Sequence, residues 1–179
     1  KRTNRAWLFG GNVNLPSDVN FKWAKVVTED FHARFGAFAR LYEYKIHHRP
    51  VRSSLKADYF LWEPRPLNVE HMKEAAALLL GEHDFSCFRG SLCQAKSPIK
   101  TVEHIQIETF EDELILSIKA NAFLHHMVRN IVGTLLKIGR GEKSVEWMSS
   151  ILASKDRKKA GPTAEPQGLY FIKAFYKEI

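Results

Sequence analysis

The chain has 179 residues, 45% of them hydrophobic, which is enough for one packed domain with or without a small satellite and excludes a disordered protein. Its 27 Lys and Arg residues and 20 Asp and Glu residues leave a formal net charge of +7. An excess of this sign is typical of proteins that meet phosphate-rich or anionic partners, so nucleic acid is the first partner class to consider.

The cysteines and the apolar segments indicate in which cellular compartment the protein resides. Cys87 and Cys93 lack the paired spacing of a structural zinc site, which favours two reduced thiols over a disulfide. No segment approaches the roughly 20 apolar residues of a membrane span, and the first residues lack the apolar core of a signal peptide. We therefore expect a cytoplasmic protein without membrane contact. Because the chain begins with Lys1, we also expect a piece of a longer protein.

The first predicted elements are a strand and a helix. Residues 39–48 alternate in character and predict a strand that buries the face with Tyr42, Tyr44 and Ile46. A helix is predicted from about Asn68, an N-cap candidate, to Leu80, with glycine immediately after it.

The second half of the chain predicts a hairpin, two helices and a strand. The hairpin strands are IKTVEHIQIETF and ELILSIKA, joined by an acidic turn. A long helix follows from about Ala122 to Ile138, then a helix in SVEWMSSILAS capped by Ser144, then a closing strand in GLYFIKAFYKEI. The order predicts an α+β fold, with a mixed or antiparallel β-sheet and helices packed on one side.

The long helix carries a narrow polar stripe beside its apolar face. The stripe contains His126, Arg129, Asn130 and Gly133 at helical spacing, and the glycine would let another backbone approach closely. A solvated helix face is the simpler interpretation. However, large apolar residues flank the stripe, and a semi-buried arginine needs a carboxylate or phosphate partner.

The pair His125 and His126 raises a metal site as an alternative. Neighbouring residues on a helix point about 100° apart, and the sequence lacks an HExxH pattern. We therefore expect no metal, and a metal-dependent hydrolase is the third functional hypothesis.

Basic and aromatic residues are interleaved in DFHARFGAFARLYEY, and HHRPVRSSLK adds histidines, arginines and a lysine. Arginine binds phosphates and aromatic rings stack on unpaired bases, so this mixture is typical of an RNA-binding surface. The phenylalanines also suit a core with solvated arginines between them. A third stretch, FRGSLCQAKSPIKT, reads as a basic loop, which is either an RNA contact or only a soluble surface.

These residues carry a family resemblance. The strings EDFHARFGAFARLYEYKI, LLLGEHDFSCFRG, CQAKSPIKTV, NAFLHHMVRNIVGTLLKIG and KDRKKAGPTAEPQGLYF resemble, in order and separation, the bacterial tRNA pseudouridine synthases of the TruA class. The resemblance implies a pseudouridine synthase fold and a cofactor-free homodimer. It also implies an enzyme that isomerises uridine to pseudouridine in the anticodon stem-loop of tRNA.

The resemblance also implies roles for individual residues. Tyr42 would stack on the flipped base, Arg129 would pair with the nucleophilic aspartate, and Leu169 would close the uracil pocket. The implied tRNA contacts are Phe31, His32, Ala33, Arg34, Phe35, Leu92, Cys93, Gln94, Ala95 and Lys96, with Arg2 and Arg49 as additional candidates. Lys96 stands where an arginine is common, which turns a bidentate phosphate contact into a point-charge contact.

One family feature is absent from the sequence. The family carries its nucleophilic aspartate in a GRTDxGVHA motif, and none of the six aspartates here lies in that context. We therefore expect residues 1–179 to be the C-terminal portion of such an enzyme, without its N-terminal domain and inactive alone. A non-catalytic RNA-binding module is the alternative hypothesis.

Overall fold

The computed structural model describes residues 2–177, which fall into two compact units. The first holds the residues up to Gly36 together with Lys177, and the second is Ala37–Tyr176. The last two residues of the predicted closing strand, Glu178 and Ile179, lie outside the described residues.

The first unit contains a helix that the sequence analysis missed. Helix α1 (Asn4–Asn12) begins after Thr3, whose hydroxyl accepts a hydrogen bond from the Ala6 amide at 3.2 Å. It buries no residue and contains two consecutive glycines, so it lacks the apolar periodicity from which helices are predicted. The Asn12 side chain bonds the backbone of Phe21 in both directions, which closes the following loop.

The second unit is built on a six-stranded mixed sheet. Five strands have the order β2-β1-β5-β4-β3, and β6 also pairs with β1. Only the β1–β2 pair is parallel among the described strands. The strands are β1 (Ala39–His48), β2 (Leu61–Glu63), β3 (Gly81–Asp84), β4 (Ile99–Phe110), β5 (Glu113–Ala120) and β6 (Leu169–Phe175).

Three helices complete the second unit, and α2 and α3 pack on each other and on the sheet. Their apolar side chains meet Tyr44 and Ile46 of β1, which are buried as predicted, while Tyr42 is only partly buried. The predicted α+β class is therefore confirmed. The helices are α2 (Val69–Ala77), α3 (Met127–Gly139) and α4 (Trp147–Ser154), with 3-10 turns at Ser86–Phe88 and Arg157–Lys159.

Several predicted boundaries are confirmed and others are wrong. The hairpin of β4 and β5 is present, and the Asn68 side chain caps α2 by accepting from the His71 amide at 3.0 Å. Helix α3 begins five residues later than predicted because His126, directly before it, has a left-handed φ of 60°. Helix α2 ends at Ala77, three residues before the predicted end.

The prediction also missed two short strands and misplaced one cap. Strands β2 and β3 have three and four residues, too few to show alternation. Helix α4 begins after Glu146, and Ser144 contributes its carbonyl to the preceding turn instead of capping the helix.

A buried carboxylate ties β2 to the end of α3. Glu63 accepts hydrogen bonds from the guanidinium groups of Arg65 and Arg140. Burial tends to raise the pKa of the Glu63 carboxyl, but the hydrogen bonds from both arginines outweigh it, so the pKa lies below its ordinary value. Within residues 2–177, no helix is long and apolar enough to cross a membrane.

Candidate functional site

The segment between α4 and β6 lies directly against α3. A methyl group added at Gly133 would stand 1.8 Å from the Pro162 carbonyl oxygen, and one added at Gly161 would stand 2.6 Å from the Gly133 oxygen. The close backbone approach predicted at Gly133 is therefore confirmed. We call residues 160–169 the crossing segment, because it runs from the α3 surface to the start of β6.

Replacing Gly133 with alanine should strongly destabilise the chain. The new methyl group would collide with backbone, which cannot move aside as a flexible side chain can, so we expect a loss of about 3 kcal/mol in the free energy of unfolding. Denaturant unfolding of the purified chain measures it. Gly10→Ala is the control, since Gly10 is also helical and has no atom within 4 Å of an added methyl, and it should not destabilise. Equal stability of the Gly133→Ala chain would contradict the packing described here.

The crossing segment holds the Arg129 side chain in one orientation. The Arg129 Nε–H donates to the Ala164 carbonyl at 2.7 Å, and the Ala164 amide donates back to the Arg129 carbonyl at 3.1 Å. Arg129 is partly buried, and no carboxylate within residues 2–177 lies in ion-pair range of it. With Nε engaged, the two terminal nitrogens remain to bind an anion.

Tyr44 of β1 is bonded to the crossing segment and faces Leu169. The buried Tyr44 hydroxyl donates to the Glu165 carbonyl at 2.6 Å in the crossing segment. Burial raises the pKa of Tyr44, and the positive charge of Arg129 opposes part of that rise. Tyr44 faces Leu169 across the β1–β6 pair.

Tyr42 faces Phe171 in the same strand pair and lies on the same face as Tyr44. Leu169 is therefore its diagonal neighbour, at a typical Cα separation of about 7–8 Å. The Tyr42 ring packs edge-on against Phe123 and Phe171, with centroid distances of 4.9 and 5.3 Å. Burial raises the pKa of Tyr42, and Arg40 opposes it, so the hydroxyl stays protonated at neutral pH.

The loop Leu92–Lys96 is attached to the residues before α3. The Arg89 guanidinium donates to the carbonyls of Cys93 (3.0 Å) and Ala95 (2.8 Å), which shapes the loop. The His125 amide donates to the Cys93 sulfur at 3.3 Å. The loop thus stands at the α3 end that carries Arg129, with Leu92, Gln94 and Lys96 exposed.

The thiol of Cys93 in this loop differs from that of Cys87. Burial tends to raise the pKa of Cys93, but hydrogen bonds from the backbone amides of His125 and Ala95, with Arg89 nearby, lower it overall. Burial raises the pKa of Cys87 to about 12. Both cysteines are unbridged, as their spacing predicts.

The two histidines do not lie on the helix as predicted. His125 and His126 form the turn before α3, and their rings stack with a centroid distance of 3.8 Å. Their side chains therefore do not diverge as those of adjacent helical residues would. In the described part of the chain, no group of three or more His, Cys, Asp or Glu side chains could hold a metal ion.

The other predicted RNA contacts lie apart from this cluster or in the first unit. Arg49 follows β1 and forms an exposed ion pair with Asp112 at 3.5 Å, about 23 Å along the strand from Tyr42. Arg2 lies over the Trp7 ring in the first unit. Residues 31–35 form a turn of the same unit.

The turn at residues 31–35 presents an aromatic surface. The His32 Nδ1 accepts from the amides of Arg34 and Phe35 at 3.1 and 3.2 Å, and the His32 and Phe35 rings lie 4.4 Å apart. Phe35 is 75% exposed, so it does not serve as a core residue.

A buried polar network that no sequence pattern predicted lies next to Arg129. Asn130 is completely buried and bonds to Phe88, Arg157 and Thr163. Arg157 and Thr163 were not singled out because KDRKK reads as a solvated charge run. The only sequence signal was Asn130 itself, a polar residue among large apolar ones.

The fold and this cluster define an α+β protein with a partly buried arginine whose side chain is held by the backbone of the crossing segment. A family model described as tRNA pseudouridine synthase matches residues 75–177, and the chain belongs to that family. It is 47% identical over 176 residues to tRNA pseudouridine synthase A of Pseudomonas aeruginosa, 51% over 177 to that of Hydrogenovibrio crunogenus and 49% over 177 to that of Actinobacillus succinogenes.

These alignments cover 98 to 99% of the present chain. The chain spans only 62% of the length of the Pseudomonas relative and 67 to 68% of the other two. Between 32 and 38% of the length of each of these relatives therefore lies outside the match.

Proposed function

We propose that this chain is the C-terminal portion of an enzyme that isomerises uridine to pseudouridine in the anticodon stem-loop of tRNA. The observation that carries the proposal is the geometry of Arg129, fixed by Ala164 with its terminal nitrogens available for an anion. Tyr42 and Leu169, on paired strands, supply an aromatic and an apolar surface for the target base. Family membership supports the same reaction.

The role of Arg129 is to hold a carboxylate ionised and oriented. The carboxylate belongs to a nucleophilic aspartate in the N-terminal domain of the complete protein, because the sequence of residues 1–179 has no GRTDxGVHA motif. A guanidinium within about 4–6 Å lowers the pKa of a carboxyl group. At neutral pH the aspartate is then a carboxylate, the form required for attack.

The reaction replaces the bond between ribose C1′ and uracil N1 with a bond between C1′ and uracil C5, and it needs no cofactor. The uridine leaves the RNA stack, and the bond between ribose C1′ and uracil N1 breaks with participation of the aspartate. The uracil rotates, C1′ bonds to C5, the C5 proton is lost and N1 gains a proton. Tyr42 stacks on the base during this exchange, and Leu169 excludes water from one side of the pocket.

Several surfaces of the chain hold the tRNA. Leu92–Lys96, shaped by Arg89 and tied to His125, contacts the RNA next to the target base. The turn at residues 31–35 offers the exposed Phe35 ring for stacking, while Arg2 and Arg49 contact phosphates. We propose that the complete enzyme is a cytoplasmic homodimer, and a monomeric complete protein in sedimentation analysis would contradict that assembly.

The direct test compares the complete protein with this chain on unmodified tRNA. We expect pseudouridine in the anticodon stem-loop after incubation with the complete protein. With the chain alone we expect none, because the nucleophile is missing. Chemical mapping of pseudouridine reads out both reactions.

Each other outcome has a definite meaning. Modification by the chain alone would show that its own residues include a nucleophile. If the complete protein binds tRNA but forms no pseudouridine, the alternative of a non-catalytic RNA-binding module is correct.

A further inference from the structure

We propose that Asn130 and Thr163 are positioning residues that set the orientation of Arg129 through the crossing segment. The inference rests on the proposed function, since it assigns these residues to the same site. Neither side chain needs to touch the RNA or the aspartate. They act by fixing the backbone to which Arg129 Nε is bonded.

The network centres on the side chain of Asn130. Its Oδ1 accepts from the Thr163 hydroxyl at 2.6 Å and from an Arg157 terminal nitrogen at 2.9 Å, and its Nδ2 donates to the Phe88 carbonyl at 2.8 Å. One amide thus ties α3 to both 3-10 turn regions and to the crossing segment. A buried polar group with satisfied hydrogen bonds specifies one arrangement, because any other arrangement would break some of those bonds.

Arg157 extends the network along the crossing segment. Besides Asn130, its terminal nitrogens donate to the Gly161 carbonyl at 2.8 Å and to the Thr163 hydroxyl at 3.1 Å. The Gly161 amide donates to the buried Thr134 hydroxyl at 2.9 Å. Residues on both sides of Pro162 are therefore fixed relative to α3.

The next residue after Thr163 is the one that holds Arg129. Ala164 accepts from Arg129 Nε and donates to the Arg129 carbonyl, so any displacement at Thr163 is transmitted to the guanidinium. Within α3, Asn130 points to the network while Arg129, about 100° away round the helix, points to the site. Asn130 therefore positions the crossing segment, and its neighbour Arg129 binds the carboxylate.

Thr163→Val is the sharpest test, because valine keeps the shape and removes only the hydroxyl. Thr163 is exposed overall, so the variant folds. In the complete enzyme we expect kcat to fall about tenfold, the effect of losing one such hydrogen bond, with KM for tRNA unchanged. Thr163→Ser keeps the hydroxyl and should restore kcat.

The pH profile separates positioning from general damage. A displaced Arg129 stabilises the ionised aspartate less, so the pKa of that carboxyl rises. The acid limb of kcat/KM should therefore move to higher pH in Thr163→Val and stay in place in Thr163→Ser.

A second measurement needs no activity. In NMR spectra of this chain, the Arg129 Nε–H should exchange slowly with water, and faster in Thr163→Val than in wild type or Thr163→Ser. If the wild-type complete protein is inactive, the proposed reaction fails while this measurement still tests the positioning. Unchanged kcat, pH profile and exchange in Thr163→Val would overturn the inference. Equal losses in the valine and serine variants would also overturn it, because they would indicate packing alone.

Discussion

Arg129→Ala in the complete enzyme should lower kcat by roughly 10²–10³-fold while tRNA affinity changes little. The reason is that Arg129 acts on the nucleophilic aspartate and not on the RNA phosphates. Without the guanidinium, the pKa of the aspartate rises and its orientation is lost. Single-turnover kinetics with saturating enzyme, together with filter binding of tRNA, separate the two effects.

A matched control for this variant is Arg5→Ala. Arg5 lies in α1, with its guanidinium 5.1 Å from the Phe9 ring, and has no part in the proposed site. The Arg5→Ala substitution removes the same charge from the molecule, so it controls for any general electrostatic effect on tRNA binding. Unchanged turnover in Arg129→Ala, or equal losses in both variants, would refute the role of Arg129.

Changes at Tyr42 should separate stacking from the contribution of the hydroxyl. Tyr42→Leu removes the ring, and base stacking on an aromatic side chain is worth about 1–3 kcal/mol, so capture of the flipped base should weaken about 5–100-fold. Tyr42→Phe keeps the ring and should retain RNA binding. We propose further that the Tyr42 hydroxyl lies near the reacting centre, so Tyr42→Phe should lower turnover. Fluorescence of a reporter base at the target position measures capture.

Tyr59→Leu is the control for Tyr42→Leu. Tyr59 is 59% exposed; its backbone carbonyl accepts from the Tyr170 hydroxyl and its amide donates to the Lys56 carbonyl. The same loss of a ring there should leave base capture unchanged. Full activity in both Tyr42 variants would contradict the stacking role.

The regular elements of this fold were accessible from local patterns. The alternation in β1 and in the hairpin, and the Asn68 cap of α2, depend on neighbours a few residues apart. Strands β2 and β3 were missed because three or four residues become a strand only through their partners. The late start of α3 depends on the backbone of His126, whose φ no local pattern predicts.

The site also has features that local sequence predicts and features that depend on the tertiary structure. The sequence by itself determined the family resemblance, the candidate residues Tyr42, Arg129 and Leu169, and the need of a semi-buried arginine for an anion. Only the tertiary structure shows that the Ala164 carbonyl binds the Arg129 side chain and that Asn130 binds Thr163 of the crossing segment. These contacts join residues 33 to 35 positions apart in the chain. They depend on the path of a segment without periodicity, which packing against Gly133 determines.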